Sequence, residues 1–202
     1  MAIIHIVRGA DEADYSASGA VTVYDAAQAA GLISRDILAA KVDGKVVALS
    51  TPVEGDALVT LLTFDDPEGA HVFRHTASHI LAQAVKRLYP EVKLTIGPAI
   101  DDGFYYDFDA DFSFTTEILA KLEAEMKKIV KENLKIERFE LPRAEAVALM
   151  EKAGEPYKVE LIEALPEGET ISFYRQGEFT DLCAGPHLFS TGAVKAIKLT
   201  AC

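Results

Sequence analysis

The sequence predicts an α+β protein in two parts, because strand-like and helix-like segments follow one another without the regular β–α–β alternation of a parallel sheet. A polar, turn-rich stretch at residues 64–69 separates a mostly strand-like front part from a rear part with long helical patterns. We therefore predict two domains, residues 1–64 and 65–202, the second with a mainly antiparallel sheet.

The front part has the pattern of a strand, a helix, a hairpin and a final strand. Asp43-Gly44 between two apolar runs is a strong signal for a tight hairpin, and Gly31 stands where a glycine commonly ends a helix. This order indicates a small β-grasp-like module. The predicted elements are residues 2–7 (strand), 24–30 (helix), 39–42 and 46–49 (hairpin) and 57–63 (strand).

The rear part mixes helices and strands. A helix that starts near His75 ends before Pro90, a long amphipathic helix follows, and a third helix is opened by Pro142 and closed near Gly154. The predicted helices are residues 75–88, 116–132 and 142–154, and the predicted strands are 93–96, 104–108, 134–141, 157–161, 171–174 and 194–199.

Composition excludes several classes of protein. The net charge of −12 argues against a protein that holds nucleic acid mainly through its phosphates. No apolar run approaches the ~20 residues of a membrane span, and the first residues lack the pattern of a secretory signal. Cys183 and Cys202 are too few for a disulfide framework, so we expect a cytoplasmic protein.

A histidine pair is the first chemical signal. The spacing of His75 and His79 places both imidazoles on one helix face, one turn apart. The apolar residues of this helix, from Ala77 to Leu88, cluster on the other side, and Gln83 continues the histidine face. The pair therefore faces solvent, a cleft or another part of the domain, and a solvated helix face is the commonest meaning of this spacing alone.

The second signal is the segment 181–187 (DLCAGPH), in which Gly185 and Pro186 predict a loop. Cys183 and His187, four residues apart, can converge on one point of such a loop. Alone they indicate a small thiol beside a turn histidine. Combined with the histidine pair they could bind Zn²⁺ tetrahedrally or position a water without metal.

Four segments, in this order, resemble the second N-terminal domain of bacterial threonyl-tRNA synthetases, and residues 1–64 more loosely resemble the TGS module that precedes it. The four segments are residues 75–84 (HTASHILAQA), 96–107 (IGPAIDDGFYYD), 154–158 (GEPYK) and 181–187 (DLCAGPH). The resemblance covers most of residues 70–190 and implies an editing domain. No segment resembles the aminoacylation motifs or an anticodon-binding domain, so we expect a fragment of a longer enzyme.

The implied reaction is hydrolysis of the ester that joins serine to the 3′-terminal ribose of threonine tRNA. Serine lacks one methyl of threonine, and a missing methyl provides only ~1–3 kcal/mol of discrimination, so a second site must remove the error. The roles carried over are catalytic for His75, Lys158, His79 and His187, with His75 and Lys158 activating the water, and substrate-binding for Asp181, Cys183 and Tyr106.

The resemblance also implies partners and cofactors. The partner is the 3′ end of tRNA(Thr) carrying serine, the site uses no metal or other cofactor, and the full-length enzyme is a homodimer through a catalytic domain that this chain lacks. Two alternatives stay open. Alanyl-tRNA synthetase editing domains share the histidine and cysteine pattern and hold zinc there, and a TGS-containing RNA-binding module would have no catalytic activity.

Overall fold

The computed structural model describes residues 1–201 and confirms the α+β class, with mostly antiparallel strand pairing. Cys202, one of the two cysteines counted above, lies outside the described residues. The chain forms two compact units, the first made of Met1–Phe73 and Pro186–Phe189, and the second of Arg74–Gly185 and the residues from Ser190 onward. These bounds differ from those of the predicted domains 1–64 and 65–202, whose identities stay predictions.

The first unit is a strand-rich fold with one helix of its own. Its elements are β1 (Ala2–Arg8), β2 (Asp11–Ala17), β3 (Val21–Thr22), α1 (Val23–Ala29), β4 (Ala39–Val42), β5 (Lys45–Val47), β6 (Pro52–Val53) and β7 (Ala57–Leu62). A five-stranded sheet has the order β2-β1-β7-β4-β5, and within it only the β1–β7 pair is parallel. The strands β3 and β6 form a separate antiparallel pair.

The sequence explains most of this unit. The hairpin at Asp43-Gly44 is confirmed, and both residues have the positive φ that a two-residue hairpin turn requires, 49° and 84°. The core includes Ile4, Ile6 and one face of α1. The sequence does not predict β2, because three of the seven residues of this edge strand are acidic and the strand is only partly buried.

The second unit combines helices with short sheets. The helix α2 (Pro67–Leu88) begins in the first unit and continues through the second. The remaining elements are β8 (Lys93–Leu94), β9 (Ala99–Ile100), β10 (Gly103–Phe104), β11 (Phe108–Asp109), α3 (Thr116–Glu132), β12 (Ile136–Glu140), α4 (Arg143–Ala153), α5 (Pro156–Ala164), β13 (Ser172–Gln176), β14 (Phe179–Leu182) and a 3₁₀ turn (Thr191–Ala193). The three strands β12, β13 and β14 form one antiparallel sheet.

Two predicted strands are wrong, and a third, 104–108, is interrupted, since only its end residues belong to strands, β10 and β11. Residues 157–161 lie in α5, because Pro156 begins a helix whose buried face carries Lys158 and Ile162, one turn apart. Residues 194–199 form no strand, since their alternating pattern finds no partner strand, and the glutamate Glu123 of α3 holds the backbone N–H of Leu199 instead. Through residue 201, none of the helices combines the length and the apolar content that a bilayer crossing requires.

Candidate functional site

The histidine face of α2 is largely buried rather than solvated, with His75 partly buried and His79 fully so. The rings of His75 and His79 lie 5.2 Å apart between centroids and are nearly perpendicular. His79 is 4% exposed and Gln83, one turn further, is 1% exposed. Leu88, which the pattern places on the apolar stripe, is 39% exposed. The helix therefore buries its polar face as well as most of its apolar stripe.

Cys183 approaches the histidine pair from the segment after β14. Its Sγ lies 3.4 Å from His75 Nε2 and accepts a hydrogen bond from the backbone N–H of Gly185 at 3.2 Å. Ligand atoms of His75, His79 and Cys183 all lie within 4.8 Å of one another. The predicted grouping of these three residues is therefore present in the second unit.

Gly185 makes this approach possible. Its φ is +71°, and a Cβ at this position would lie 1.9 Å from the hydroxyl oxygen of Tyr174. Only glycine combines this backbone conformation with such close contact. The turn that presents the Cys183 thiol therefore depends on a residue with no side chain.

His187 follows four residues after Cys183, on the segment Pro186–Phe189 that belongs to the first unit. It is 1% exposed. Phe189 of the same segment stacks on Tyr24 of α1, with 5.1 Å between the ring centroids. A functional role of His187 beside Cys183 stays a prediction.

Asp181 is the centre of a buried polar network. It lies two residues after Phe179, on the same buried face of β14, so its carboxylate points inward from a position that usually carries an apolar side chain, and it is 1% exposed. Tyr106 donates a hydrogen bond to Asp181 Oδ2 at 2.7 Å. Lys158 Nζ lies 2.8 Å from Asp181 Oδ1 and donates to the Tyr106 hydroxyl at 3.1 Å.

One oxygen of this network keeps unused hydrogen-bonding capacity. Asp181 Oδ1 pairs electrostatically with Lys158 but makes no aligned hydrogen bond with any described residue. The other oxygen, Oδ2, accepts from Tyr106 and lies 3.8 Å from His79 Nε2. A buried carboxylate oxygen without a hydrogen bond is energetically costly, so Oδ1 is suited to receive a donor from a ligand.

Burial sets the protonation states around the network. Burial, followed by the charges of His75 and Lys158, holds the pKa of His79 well below its usual value, so its imidazole is neutral. Burial and the Asp181 carboxylate raise the pKa of Tyr106 well above its usual value. Burial also raises the pKa of the Cys183 thiol to about 12. The site therefore presents a neutral imidazole, a phenol and a thiol at neutral pH.

The loop that carries Tyr106 is fixed against α2. A Cβ at Gly97 would lie 2.1 Å from the Tyr106 ring, so the ring packs directly on the glycine backbone. Ser78, between the two histidines, has its hydroxyl 2.7 Å from the Gly97 carbonyl oxygen and 2.8 Å from that of His75. The segments 75–84 and 96–107, each singled out in the sequence, are thus connected at the site.

Several residues that support the site have no predicted role in the sequence. Gln83 and Gln176 form a buried amide pair at 2.8 Å, and Gln176 also donates to the His79 carbonyl at 3.4 Å. Glu155, 4% exposed, precedes the helix of Lys158. The only sequence signal for Gln83 is its position on the histidine face, and the one for Glu155 is its place in the segment GEPYK.

Comparisons with known proteins find similarity to tRNA synthetases. A family model described as the threonyl and alanyl tRNA synthetase second additional domain matches residues 171–201, which include Asp181 and Cys183. The threonine–tRNA ligase of Clostridium tetani (strain Massachusetts / E88) is 69% identical over 160 residues, which are 79% of this chain and 25% of the relative. That of Clostridium botulinum (strain Hall) is 68% identical over 162 residues, 80% of this chain and 26% of the relative.

The chain spans about a quarter of the length of the curated relatives it matches. These relatives match about four-fifths of the length of this chain, and the homologues of the chain are therefore threonine–tRNA ligases.

Proposed function

We propose that this chain hydrolyses the ester bond of tRNA(Thr) mischarged with serine, as the editing part of a threonine–tRNA ligase. The observation that carries the proposal is the buried Lys158–Tyr106–Asp181 network beside the neutral imidazole of His79. The homologues and the family match support a role in tRNA charging. Serine as the amino acid removed follows from the resemblance in the sequence and from the need to correct a one-methyl difference.

In this proposal the water is activated by His75. Of the pair His75 and His79, His75 is the more exposed, and its Nε2 faces the Cys183 thiol at 3.4 Å. Histidine needs little tuning to act as a general base near neutral pH. The water loses its proton to His75 and attacks the ester carbonyl. The carbon–oxygen bond to the ribose then breaks, and the ribose oxygen takes up the proton that His75 received, which leaves serine, intact tRNA and neutral His75.

Lys158 has an electrostatic role here. An ammonium that donates to the Tyr106 hydroxyl and pairs with the Asp181 carboxylate has no lone pair with which to accept a proton. It can stabilise the negative charge that develops on the carbonyl oxygen. We therefore assign the base to His75 and charge stabilisation to Lys158.

Asp181 recognises the seryl amino group in this scheme. Its Oδ1 lacks a hydrogen bond, and a substrate ammonium would supply one. In this scheme Tyr106 and Cys183 border the place of the seryl group beside Asp181. The Cys183 thiol stays protonated and uncharged, because its pKa is raised to about 12. We expect this close-packed border to accept serine and to reject the extra methyl of threonine.

A zinc-dependent editor is the second candidate, and the donor set favours it. Two imidazoles and one thiol within 4.8 Å match the ligand types and the spacing of a zinc site. His75, His79 and Cys183 would hold the ion, with His187 as the fourth donor predicted from the sequence, and the ion would polarise a carbonyl or a water. Elemental analysis separates the candidates, since stoichiometric zinc after purification would contradict the metal-free scheme.

The test of the proposed function is single-turnover release of serine from Ser-tRNA(Thr), with the chain in excess. We expect the wild-type chain to release serine and His75→Ala to lose about 10²–10⁴-fold in rate, the contribution of a general base. His71→Ala is the matched control, because His71 is an exposed histidine on the same helix, one turn earlier. Equal release by the wild type and His75→Ala would refute the catalytic assignment.

A further inference from the structure

Glu155 is a buried carboxylate that the proposed mechanism does not use. Its backbone N–H donates to the Met150 carbonyl at the end of α4, at 3.0 Å. Its own carbonyl accepts from the N–H groups of Lys158 and Val159 at 3.1 and 3.2 Å. Glu155 therefore joins α4 to the first turn of α5, the turn that carries Lys158.

The Glu155 side chain links this turn to two further elements. Its Oε2 accepts a hydrogen bond from the backbone N–H of Leu94 in β8 at 2.8 Å. Its Oε1 lies 2.7 Å from Lys86 Nζ of α2, and Lys86 also donates to the carbonyls of Pro90 and Val92. One carboxylate thus connects the start of α5 with β8 and with the helix of the histidine pair.

A buried ion pair of this kind is an inefficient way to stabilise a fold. Removing two charges from water costs several kcal/mol per ion, and well-packed apolar residues of similar volume often serve stability equally well. The Glu155–Lys86 pair lies in the interior, with the two side chains 5% and 20% exposed. Such a pair instead fixes the relative positions of the elements that carry it, because the contact joins specific atoms.

We propose that Glu155 is a positioning residue for Lys158. Glu155 fixes the first turn of α5 against β8 and α2, and this turn in turn places the Lys158 ammonium beside Tyr106 and Asp181. The inference rests on the proposed function, in which Lys158 stabilises the developing charge. A displacement of about 1 Å at a catalytic group can cost ~10²-fold in rate. Lys158 contacts two partners at 2.8 and 3.1 Å, so a small rotation of this turn would break both contacts.

A second contact of the same turn supplies the matched control. Tyr157, next to Lys158, donates its hydroxyl to Asp109 Oδ2 at 2.8 Å, but this hydrogen bond is exposed. Water replaces an exposed hydrogen bond with little loss. The variant Tyr157→Phe removes it while the buried anchor at Glu155 stays in place.

The first measurement does not depend on activity. Acetylation of the Lys158 amine, followed by mass spectrometry of the folded chain, reports how well this 4% exposed side chain is held. We expect Glu155→Ala to raise the labelling rate about tenfold or more, Glu155→Gln to raise it less, because its amide oxygen still accepts from Leu94, and Tyr157→Phe to change it less than twofold. Labelling of both Glu155 variants at the wild-type rate would overturn the proposal.

The second measurement is a double-mutant cycle on serine release. Glu155→Ala should slow release about 10–100-fold in the wild-type background and less than twofold in the Lys158→Met background, because it acts through Lys158. Equal losses in both backgrounds would overturn the positioning role. If the wild-type chain releases no serine, the proposed function fails, and the labelling comparison alone decides the role of Glu155. If Glu155→Ala does not fold, Glu155→Gln takes its place in both measurements.

Discussion

Tyr106 contacts both charged groups of the site, the Asp181 carboxylate and the Lys158 ammonium. Its hydroxyl donates to Asp181 at 2.7 Å and accepts from Lys158 at 3.1 Å, so a single oxygen fixes the direction of both groups. Burial and the Asp181 carboxylate raise the pKa of Tyr106, which keeps the proton on the phenol where this geometry needs it. The ring itself is held by Gly97 and by stacking on Phe108.

The variant Tyr106→Phe tests this alignment, because it removes the hydroxyl and leaves the ring. A hydrogen bond to a charged group contributes ~1.5–3 kcal/mol, so we expect serine release to slow by about 10–100-fold. Single-turnover kinetics measure the rate, and thermal unfolding checks that the fold persists. A normal rate in a folded Tyr106→Phe protein would remove Tyr106 from the site.

At the scale of elements, the packing of the loop after β8 against α2 requires that the backbone of Gly97 lie close to its neighbours. The carbonyl of Gly97 lies beside Ser78, and its α-carbon lies against the Tyr106 ring. A side chain at this glycine has no free volume. The loop can therefore hold Tyr106 at its place only with a residue as small as glycine.

Gly97→Ala should displace the Tyr106 ring, because the new Cβ would lie 2.1 Å from it. Overpacking of this kind typically costs ~1–3 kcal/mol in the free energy of unfolding, and we expect serine release to fall with it. Gly103→Ala is the control, since a Cβ there meets nothing within 4 Å and its φ is not positive. Unfolding of both variants at the same denaturant concentration, with equal rates of serine release, would contradict the close packing of Tyr106 on Gly97.

The end of α2 is anchored by charge. Arg87 contacts three glutamates, with Glu178 at 2.6 Å, Glu132 at 2.8 Å and Glu125 at 3.2 Å. The hydrogen bond from Arg87 is the main cause that lowers the pKa of Glu178 to about 2. Glu178 also accepts from Gln83, which belongs to the amide pair beneath His79.

This anchor predicts a specific pH dependence of stability. The pKa of Glu178 is lower in the folded chain, so the unfolded chain binds more protons between pH 4.5, the ordinary value, and about 2. The contribution of Glu178 is therefore present above that window and is lost as the pH falls through it. In denaturant unfolding, the free energy of unfolding of Glu178→Gln should fall less steeply with decreasing pH through this window than that of the wild type.

Glu117→Gln is the control for this measurement. Glu117 forms an exposed pair with Lys121 within α3, and solvent screens such a pair. We expect the pH profile of Glu117→Gln to follow that of the wild type more closely than the profile of Glu178→Gln does. Superimposable profiles for the wild type and Glu178→Gln would contradict the anchoring of α2 by this cluster.

Some helices and strands could be predicted from the sequence pattern, and others could not. The pattern predicts the bounds of α3, Thr116–Glu132, because its apolar stripe is long, and the structure adds Thr115 as the cap of its first turn. It gives the wrong structure at residues 157–161, since a short segment that alternates polar and apolar residues fits a strand as well as a helix that buries Lys158. Which polar residue is buried depends on partners distant in sequence, such as Asp181, and no local pattern contains them.

At the scale of the whole molecule, the candidate site is assembled from segments far apart in the chain. His75 and Cys183 are 108 residues apart in sequence and 3.4 Å apart in space. The sequence motifs identify both segments, and Ser78 and Glu155 lie within singled-out segments, but no local pattern marks Ser78, Glu155 or Gln176 as a supporting residue. Their positions follow from packing, which the structure supplies.

The net charge of −12, from 20 basic against 32 acidic residues, opposes binding to phosphates, and the chain covers about a quarter of the length of its relatives. We therefore expect most of the affinity for tRNA to come from parts of a ligase outside this chain. For that reason the decisive assay uses the chain in excess over tRNA, so that chemistry rather than binding limits the rate.

The most direct test compares release of the amino acid from Ser-tRNA(Thr) and Thr-tRNA(Thr) by the same preparation. The account predicts that serine is released faster than threonine by about 10–200-fold, the range that one methyl provides in a close-fitting pocket, and that Asp181→Asn slows the release of serine. Equal release of the two amino acids, or release of serine no faster than without protein, would contradict the claim that the buried network of Lys158, Tyr106 and Asp181 serves an editing site.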